Sequence, residues 1–495
     1  MKKKPFFQRP SPGTNTTLRI LAEQAFSRAA GAPLIPGNEV RLLKDASENY
    51  PAWIEAMESA EKSIHFENYI FRDDDTGELF ARVLKDKARQ GVKVRLIYDW
   101  MGALGRTSRR FWEQLASAGV EVRCFNPPRL RHPLSWVSRD HRKMIAVDGC
   151  VGFVTGLCVG RMWVGCPERG IPPWRDTGIM VKGPAVSDIE RSFADVWATM
   201  GPALPEDEVP GRGSIHPEGD VTLRVVASIP NTAGLFRLDQ LIAAAARHSL
   251  WLTDAYFIGF TPYVQALQAA AMDGVDVRLL VPGTTDIPIV RAVTRAGYQP
   301  LLEAGVRIFE WNGPMLHAKT AVADSRWARI GSSNLNLSSW IGNYELDVAV
   351  EDEEFALAME RMYLEDLANS TEIELGRQHA VLPAAKRPPR ARMIRGKDSM
   401  GRAGVGVLRA GRVVEAAISN RRELGPAESK IMLAAGVTLL ALALVAVFWP
   451  RLVAVPFAVL GAWLALALLT GAYSAWARRD RGRSPGPHER GEERS

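Results

Sequence analysis

Gly91-Val-Lys-Val-Arg-Leu-Ile-Tyr-Asp99 recurs as Gly274-Val-Asp-Val-Arg-Leu-Leu-Val-Pro282. Each copy follows an amphipathic stretch, residues 79–90 and 263–273, whose apolar spacing predicts a helix. Ahead of each helix lies a β-rich run with aromatic residues at its end, residues 64–71 and 250–257. Strand, helix and strand at matching distances mean two copies of one α/β unit. We place the halves at 38–204 and 205–375, with the Gly-, Pro- and acid-rich residues 201–219 as the joint and 1–37 as a basic N-terminal segment.

The chain has 495 residues, 47% hydrophobic and 24% charged, too long for a single small core. Its net charge of +7 is unevenly placed. Residues 376–430 carry +9, residues 1–9 carry +4 and residues 478–495 carry +2, which leaves about −8 for the remainder. A body with an acidic balance does not resemble a nucleic-acid groove, so no nucleic-acid partner is expected. Cys124, Cys150, Cys158 and Cys166 contain no C-x-x-C pair. They suggest neither a disulfide framework nor a zinc ribbon, and a reducing compartment fits them. The eight-residue intervals of the last three match no zinc motif.

The basic start lacks the apolar stretch of a secretory signal. The strong hydrophobic signal lies near the other end, where residues 431–449 and 457–475 are charge-free runs of nineteen. As helices each would span roughly 28 Å, about one hydrocarbon core. Arg421, Arg422 and Lys430 precede the pair, and Arg478, Arg479, Arg481 and Arg483 follow it. The positive-inside rule puts both flanks in the cytoplasm. We therefore expect a transmembrane hairpin over 429–478 and a cytoplasmic tail over 479–495. Residues 376–428 read as a basic linker attracted to an anionic membrane surface.

Each half also carries His-x-Lys-x-x-x-x-Asp: His141-Arg-Lys143-Met-Ile-Ala-Val-Asp148 and His317-Ala-Lys319-Thr-Ala-Val-Ala-Asp324. Both use Lys although Arg outnumbers it 48 to 14. The Val-, Ile- and Ala-rich residues that follow suggest a strand, on which His and Lys two apart share a face. Lys offers a compact positive charge to a phosphoryl oxygen, and His can act as nucleophile or proton donor near neutral pH. The Asp five residues on fits either substrate contact or a bracing role. One such motif alone would suggest a structural His, but duplication at equivalent places in a repeat points to catalysis.

With these motifs the chain resembles the phospholipase D superfamily, and within it the bacterial cardiolipin synthases. The resemblance covers most of 38–370 and includes Gly37-Asn-Glu-Val-Arg-Leu-Leu, Glu67-Asn-Tyr-Ile-Phe, Trp174-Arg-Asp-Thr, Met315-Leu-His-Ala-Lys, Gly331-Ser-Ser-Asn-Leu and Asn343-Tyr-Glu. It implies two repeated α/β/α sandwich halves with pseudo-twofold symmetry and one active site between them. His141, Lys143, Asp148, His317, Lys319 and Asp324 form the implied catalytic set, with Ser332 and Asn334 binding phosphate. Asp176 and Glu345 are implied as the carboxylates orienting His141 and His317, in that order. His141 is implied as nucleophile and His317 as general acid and then base, while the more complete phosphate cradle of the second half leaves the reverse order open.

The first half departs from the pattern: where the second reads Gly331-Ser-Ser-Asn334, it reads Thr155-Gly-Leu-Cys158, and a thiol is a weaker donor than an amide. The implied reaction joins two phosphatidylglycerols into cardiolipin with release of glycerol, without metal or cofactor because the lysines supply positive charge. Hydrolysis to phosphatidic acid is the alternative, followed by a nuclease or an inactive membrane scaffold. The expected location is the bacterial cell membrane, with the catalytic body on the cytoplasmic side.

Overall fold

In the first half, seven strands are laid down as β1 (Ile35–Lys44), β2 (Ser63–Asn68), β3 (Lys93–Asp99), β4 (Glu121–Phe125), β5 (Lys143–Val147), β6 (Val151–Thr155) and β7 (Thr177–Lys182). Their spatial order is β1-β7-β6-β5-β2-β3-β4. The second half supplies β8 (Val221–Ser228), β9 (Ser249–Thr253), β10 (Asp276–Pro282), β11 (Arg307–Trp311), β12 (Thr320–Ala323), β13 (Trp327–Gly331) and β14 (Glu345–Val350). It repeats that order as β8-β14-β13-β12-β9-β10-β11, and β15 (Ser370–Leu375) and β16 (Val381–Pro383) extend its edge. Because β1 pairs antiparallel with β8, the sixteen strands form one hydrogen-bonded sheet with the two halves in pseudo-twofold relation.

This computed structural model describes residues 16–128, 138–375 and 381–383, together with isolated helical positions between 437 and 466. The basic linker, the tail and nearly all of the expected hairpin lie outside the described residues. No helix among the described residues is long and apolar enough to cross a membrane. The body is one compact unit, Met1–Asn126 with Ser138–Glu428; Pro127–Val137 and Ser429–Ser495 form another. In the latter, Val437 and Val455 are helical and exposed.

The repeated Gly-Val-x-Val-Arg-Leu pattern marks the same junction twice. Gly91 and Gly274 follow the helices Asp75–Arg89 and Thr261–Met272 at φ 91° and 89°, a left-handed conformation that glycine adopts without a Cβ penalty. The chain then enters β3 and β10, which are parallel to β2 and β9. Asp74 caps the first helix by accepting the backbone N–H of Thr76 and Gly77, each at 3.1 Å.

Helices cover both faces of the sheet. Phe80 and Leu84 of Asp75–Arg89 join the outer core of the first half, and Leu238 and Leu267 join that of the second. A third core is shared by the halves. There, Phe193 and Trp197 of helix Val186–Thr199 and Phe355 and Met359 of helix Glu353–Ala368 pack with Val154, Ile179, Ile330 and Val348 from the strands. Each fully buried side chain of this size contributes about 1.5–3 kcal/mol, so the shared core holds the halves together.

Two boundaries differ from the sequence reading. The N-terminal segment is partly built into the second half: helix Thr16–Ala30 ends where Arg224 donates to Ser27 Oγ (2.6 Å), and Arg237 donates to the Ala29 carbonyl (3.0 Å). Burial of Ala30 and Ala32 is what holds it, and β1 begins at Ile35, before the expected start at 38. The joint is clamped to the first half, with Glu208 bonded to Arg95 (2.6 Å) and Arg212 to Asp188 (2.8 Å).

Candidate active site

β5 and β12 lie inside their halves, antiparallel to β2 and β9, so the residues just before them stand at the C-terminal edge of the parallel strands. That edge holds both His-x-Lys pairs. The backbone there crosses between halves: His141 N–H donates to the Tyr344 carbonyl (2.9 Å) and Tyr344 N–H to the Arg139 carbonyl (2.8 Å). The same pair of bonds recurs from His317 N–H to Arg175 (2.7 Å) and from Arg175 N–H to Met315 (2.9 Å). Each histidine is therefore docked one residue from the other half's carboxylate.

The carboxylate pairing is the reverse of the one expected. His141 Nδ1 lies 2.9 and 3.1 Å from the Glu345 oxygens, and His317 Nδ1 lies 2.7 Å from Asp176 Oδ2. The two cross-half bridges dictate this exchange, since each puts a histidine of one half beside the strand entry of the other.

Both carboxylates are fully buried. Burial opposes the charge of Asp176, but His317 and Lys319 outweigh it and hold the carboxyl below its ordinary value. For Glu345, burial is likewise outweighed by His141, Lys143 and the Ser332 hydroxyl. His317 is driven the other way. Burial and then the Lys319 charge push it down to about 3, against the pull of Asp176. Lys319 Nζ stands 2.9 Å from His317 Nδ1, and burial with the Lys143 charge brings this lysine down to about 8. His141 is lowered chiefly by burial, with Lys143 and Lys319 adding to it. Each lysine thus acts on both histidines, as convergence on one site requires.

At rest His317 is a neutral imidazole. With Nδ1–H aimed at Asp176, its Nε2 carries an available lone pair. Aromatic rings surround the pair: Tyr69 meets His141 edge-on at 4.9 Å, and Trp163, Trp174 and Tyr256 lie 5.7–5.8 Å from His317.

Asp148 and Asp324 are not in the site. Five residues past lysine on an extended strand is about 17 Å, which carries both to the opposite edge of the sheet. There Asp148 accepts the N–H groups of Glu61, Lys62 and Ser63 at 2.7–2.8 Å, and Asp324 those of Arg247, His248 and Ser249 at 2.7–2.9 Å. They fasten the starts of β2 and β9; the bracing role is the one the geometry supports, and the catalytic one is corrected.

Ser332 is also reassigned. Its hydroxyl donates to Glu345 Oε2 (2.6 Å) and accepts Leu346 N–H (2.9 Å), so it positions the carboxylate rather than facing a phosphate. Asn334 is buried, with Oδ1 unpartnered. In the first half the position of Ser332 is Gly156, where a Cβ would fall 2.1 Å from Asp176 Oδ1. The donor comes instead from Trp163, whose Nε1–H reaches Asp176 Oδ2 at 3.1 Å. Sequence reasoning missed Trp163 because it lies outside every repeated pattern. Cys158, in the place of Asn334, is buried, and burial pushes its thiol pKa up against the fields of Lys143 and Lys319.

The family model for the cardiolipin synthase, PLD-like domain matches residues 53–162 and 238–367, which include both histidine motifs. The cardiolipin synthase of Alkalihalophilus pseudofirmus is 34% identical over 347 residues, 69% of this chain and 68% of that protein. The chain belongs to the cardiolipin synthase family. Cardiolipin synthase A of Pseudomonas fluorescens is likewise 34% identical, over 71% of this chain and 73% of its own length. Among solved structures, phosphatidylserine synthase of Haemophilus influenzae aligns with a TM-score of 0.55 at 14% identity, covering 72% of this chain and 91% of that one. This second likeness concerns the fold alone: the two-half α/β architecture seen here.

Proposed function

We propose that this chain is a phosphatidyltransferase that makes cardiolipin from two phosphatidylglycerols and releases glycerol. The observation that carries the reading is the crossed pair of His–carboxylate couples, each with a lysine two residues on. The names of the family's relatives supply the substrate class.

In the first step, one imidazole Nε2 attacks phosphorus and the bond from phosphorus to the glycerol oxygen breaks. The other histidine gives that oxygen a proton. In the second, that histidine takes the proton of the incoming phosphatidylglycerol hydroxyl, whose oxygen attacks phosphorus and breaks the P–N bond. Lys143 and Lys319 neutralise the non-bridging oxygens throughout, and the neutral Asn334 amide donates a hydrogen bond to them.

The assignment of roles follows proton affinity. His317, down at about 3 and beside Lys319, is the neutral partner and serves as nucleophile. His141, also lowered by burial but with both Glu345 oxygens on Nδ1 to support a proton, serves as acid and then base. This reverses the order implied by sequence resemblance. Rapid quenching with substrate labelled at phosphorus, followed by alkaline peptide mapping, should place the label on the His317 peptide; label on the His141 peptide restores the other order.

The apolar runs 431–449 and 457–475 with their basic flanks support a two-helix anchor, with the body on the cytoplasmic side of a bacterial membrane and the basic linker against anionic head groups. Expression in a host that lacks cardiolipin, followed by lipid extraction, tests the overall reaction. Cardiolipin should appear; phosphatidic acid alone would make the chain a hydrolase.

A further inference from the structure

Nine large apolar side chains of the described body are exposed, and five of them sit at the edge of the sheet that holds the histidines. Leu104 (46% exposed) follows the turn capped by Asp99, which accepts from Arg139 and the backbone of Asp140 beside His141. Val164 (46%) adjoins Trp163, the donor to Asp176. Ile229 (43%) follows Ser228, the strand partner of Glu345. Ile289 (49%) lies just past Asp286, which accepts from Tyr256 beside His317. Ile341 (37%) precedes Asn343, which donates to Glu345, and its carbonyl takes Asn231 N–H at 2.9 Å. The other four lie on the helices Asp75–Arg89, Thr261–Met272 and Glu353–Ala368.

Single exposed apolar residues need no explanation, but five segments from both halves, each presenting one at the sheet edge that carries both histidines, do. We propose that this rim is a lipid-docking surface, by which the catalytic body sits on the bilayer with its active site facing the head groups. The occupant is the membrane rather than a protein because the five residues share the sheet edge at which both histidines must meet a lipid, a point that rests on the reading of the substrate above. Arg110, exposed in the first turn of helix Arg109–Ser117 on the same edge beside Arg109, which is paired with Glu113 at 2.7 Å, adds attraction to an anionic surface. The substrate's phosphodiester lies at the head-group level, so a body held this way needs to lift its substrate only a short distance.

The test uses the full chain with the double variant Leu104→Ser/Ile289→Ser, and Met272→Ser as control. Met272 is 70% exposed but stands before β10, on the opposite edge. Two kinds of substrate are compared: phosphatidylglycerol in vesicles, and a short-chain phosphatidylglycerol kept monomeric. The rim variant should turn over vesicle substrate at least tenfold more slowly, as loss of two inserted side chains implies, and monomeric substrate at the normal rate. Equal turnover in vesicles, or an equal fall on both substrates, overturns the proposal.

Hydrogen exchange of the wild-type chain in phosphatidylglycerol nanodiscs and in a lipid-free amphipathic polymer gives an answer independent of turnover. Segments 101–106, 161–166 and 287–292 should exchange more slowly in the nanodisc, while those around Met272 do not change. Identical exchange in both settings sinks the docking surface. Failure to form cardiolipin from either substrate sinks the reaction and leaves the exchange result to decide the surface.

Discussion

Replacing Trp163 by Phe removes one hydrogen-bond donor from the buried carboxylate that orients His317, while keeping most of the ring. The bond is 3.1 Å long, and both partners are fully buried. A buried bond to a charged acceptor is worth about 1.5–3 kcal/mol, and the variant should lose stability in that range near neutral pH. The pH dependence has a definite sign. Asp176 is depressed in the folded state, so its contribution is present above the unfolded carboxyl value and is lost as pH falls through the folded one. Without the indole N–H the folded value rises, and acid unfolding should begin at higher pH. About 1.4 kcal/mol of lost support for the His317–Asp176 couple in the transition state is a tenfold fall in kcat. Urea unfolding across pH and the transfer assay measure the two effects. Trp174→Phe is the comparator, because Trp174 also meets the His317 ring, at 5.7 Å. Equal losses in both variants, or an unchanged acid limb in Trp163→Phe, would refute the hydrogen-bond argument and leave only ring packing.

Lys319, brought down to about 8, should give the pH–rate profile an alkaline limb near that value as its charge is lost, and Lys319→Arg should move the limb upward even if the rate falls. Cys158→Asn should raise turnover or leave it level, measured at saturating substrate; a folded variant with sharply lower activity gives the thiol a packing role of its own. Deleting residues 429–478 should shift the protein toward the soluble fraction, with residual binding by the rim and the basic linker that falls as salt rises; retention of the whole protein on membranes in high salt would remove the hairpin as main anchor. His141→Ala and His317→Ala should each abolish turnover, with circular dichroism unchanged.

The repeat, the two α/β halves and the histidine–lysine pairs were legible because each rests on local pattern: continuous apolar runs in the buried strands, a glycine ending each helix and residues two apart on an extended chain. What sequence could not show is long-range register. Glu345 and Asp176 exchange partners because backbone bonds run from residues 139–141 to Tyr344 and from residues 315–317 to Arg175, more than a hundred residues away in the chain. No periodicity encodes such a crossing. The fate of Asp148 and Asp324 could have been read from strand geometry, since five extended residues exceed the reach of any side chain to the lysine end. Trp163 had no sequence signal of its own; only the missing Ser at Gly156 hinted that another donor was needed.

The duplicated scaffold also offers a physical basis for the different roles proposed for two similar histidines. Symmetry gives each a carboxylate from the other half and a lysine of its own, which by itself would give them equal proton affinity. Small departures from the repeat break that equality. Glu345 reaches across with two oxygens and is met by Ser332, whereas the shorter Asp176 requires glycine at 156 and takes its donor from Trp163. Each lysine is bonded to the backbone carbonyl of its own histidine, and Lys319 also stands 2.9 Å from Nδ1 of His317. The ammonium therefore opposes protonation of His317 more directly than that of His141. A ping-pong transfer needs one imidazole that starts with a lone pair and one that can start with a proton. On the order of roles proposed above, that division would arise from a one-methylene difference in carboxylate length and the placement of one lysine, on a framework that is otherwise the same twice.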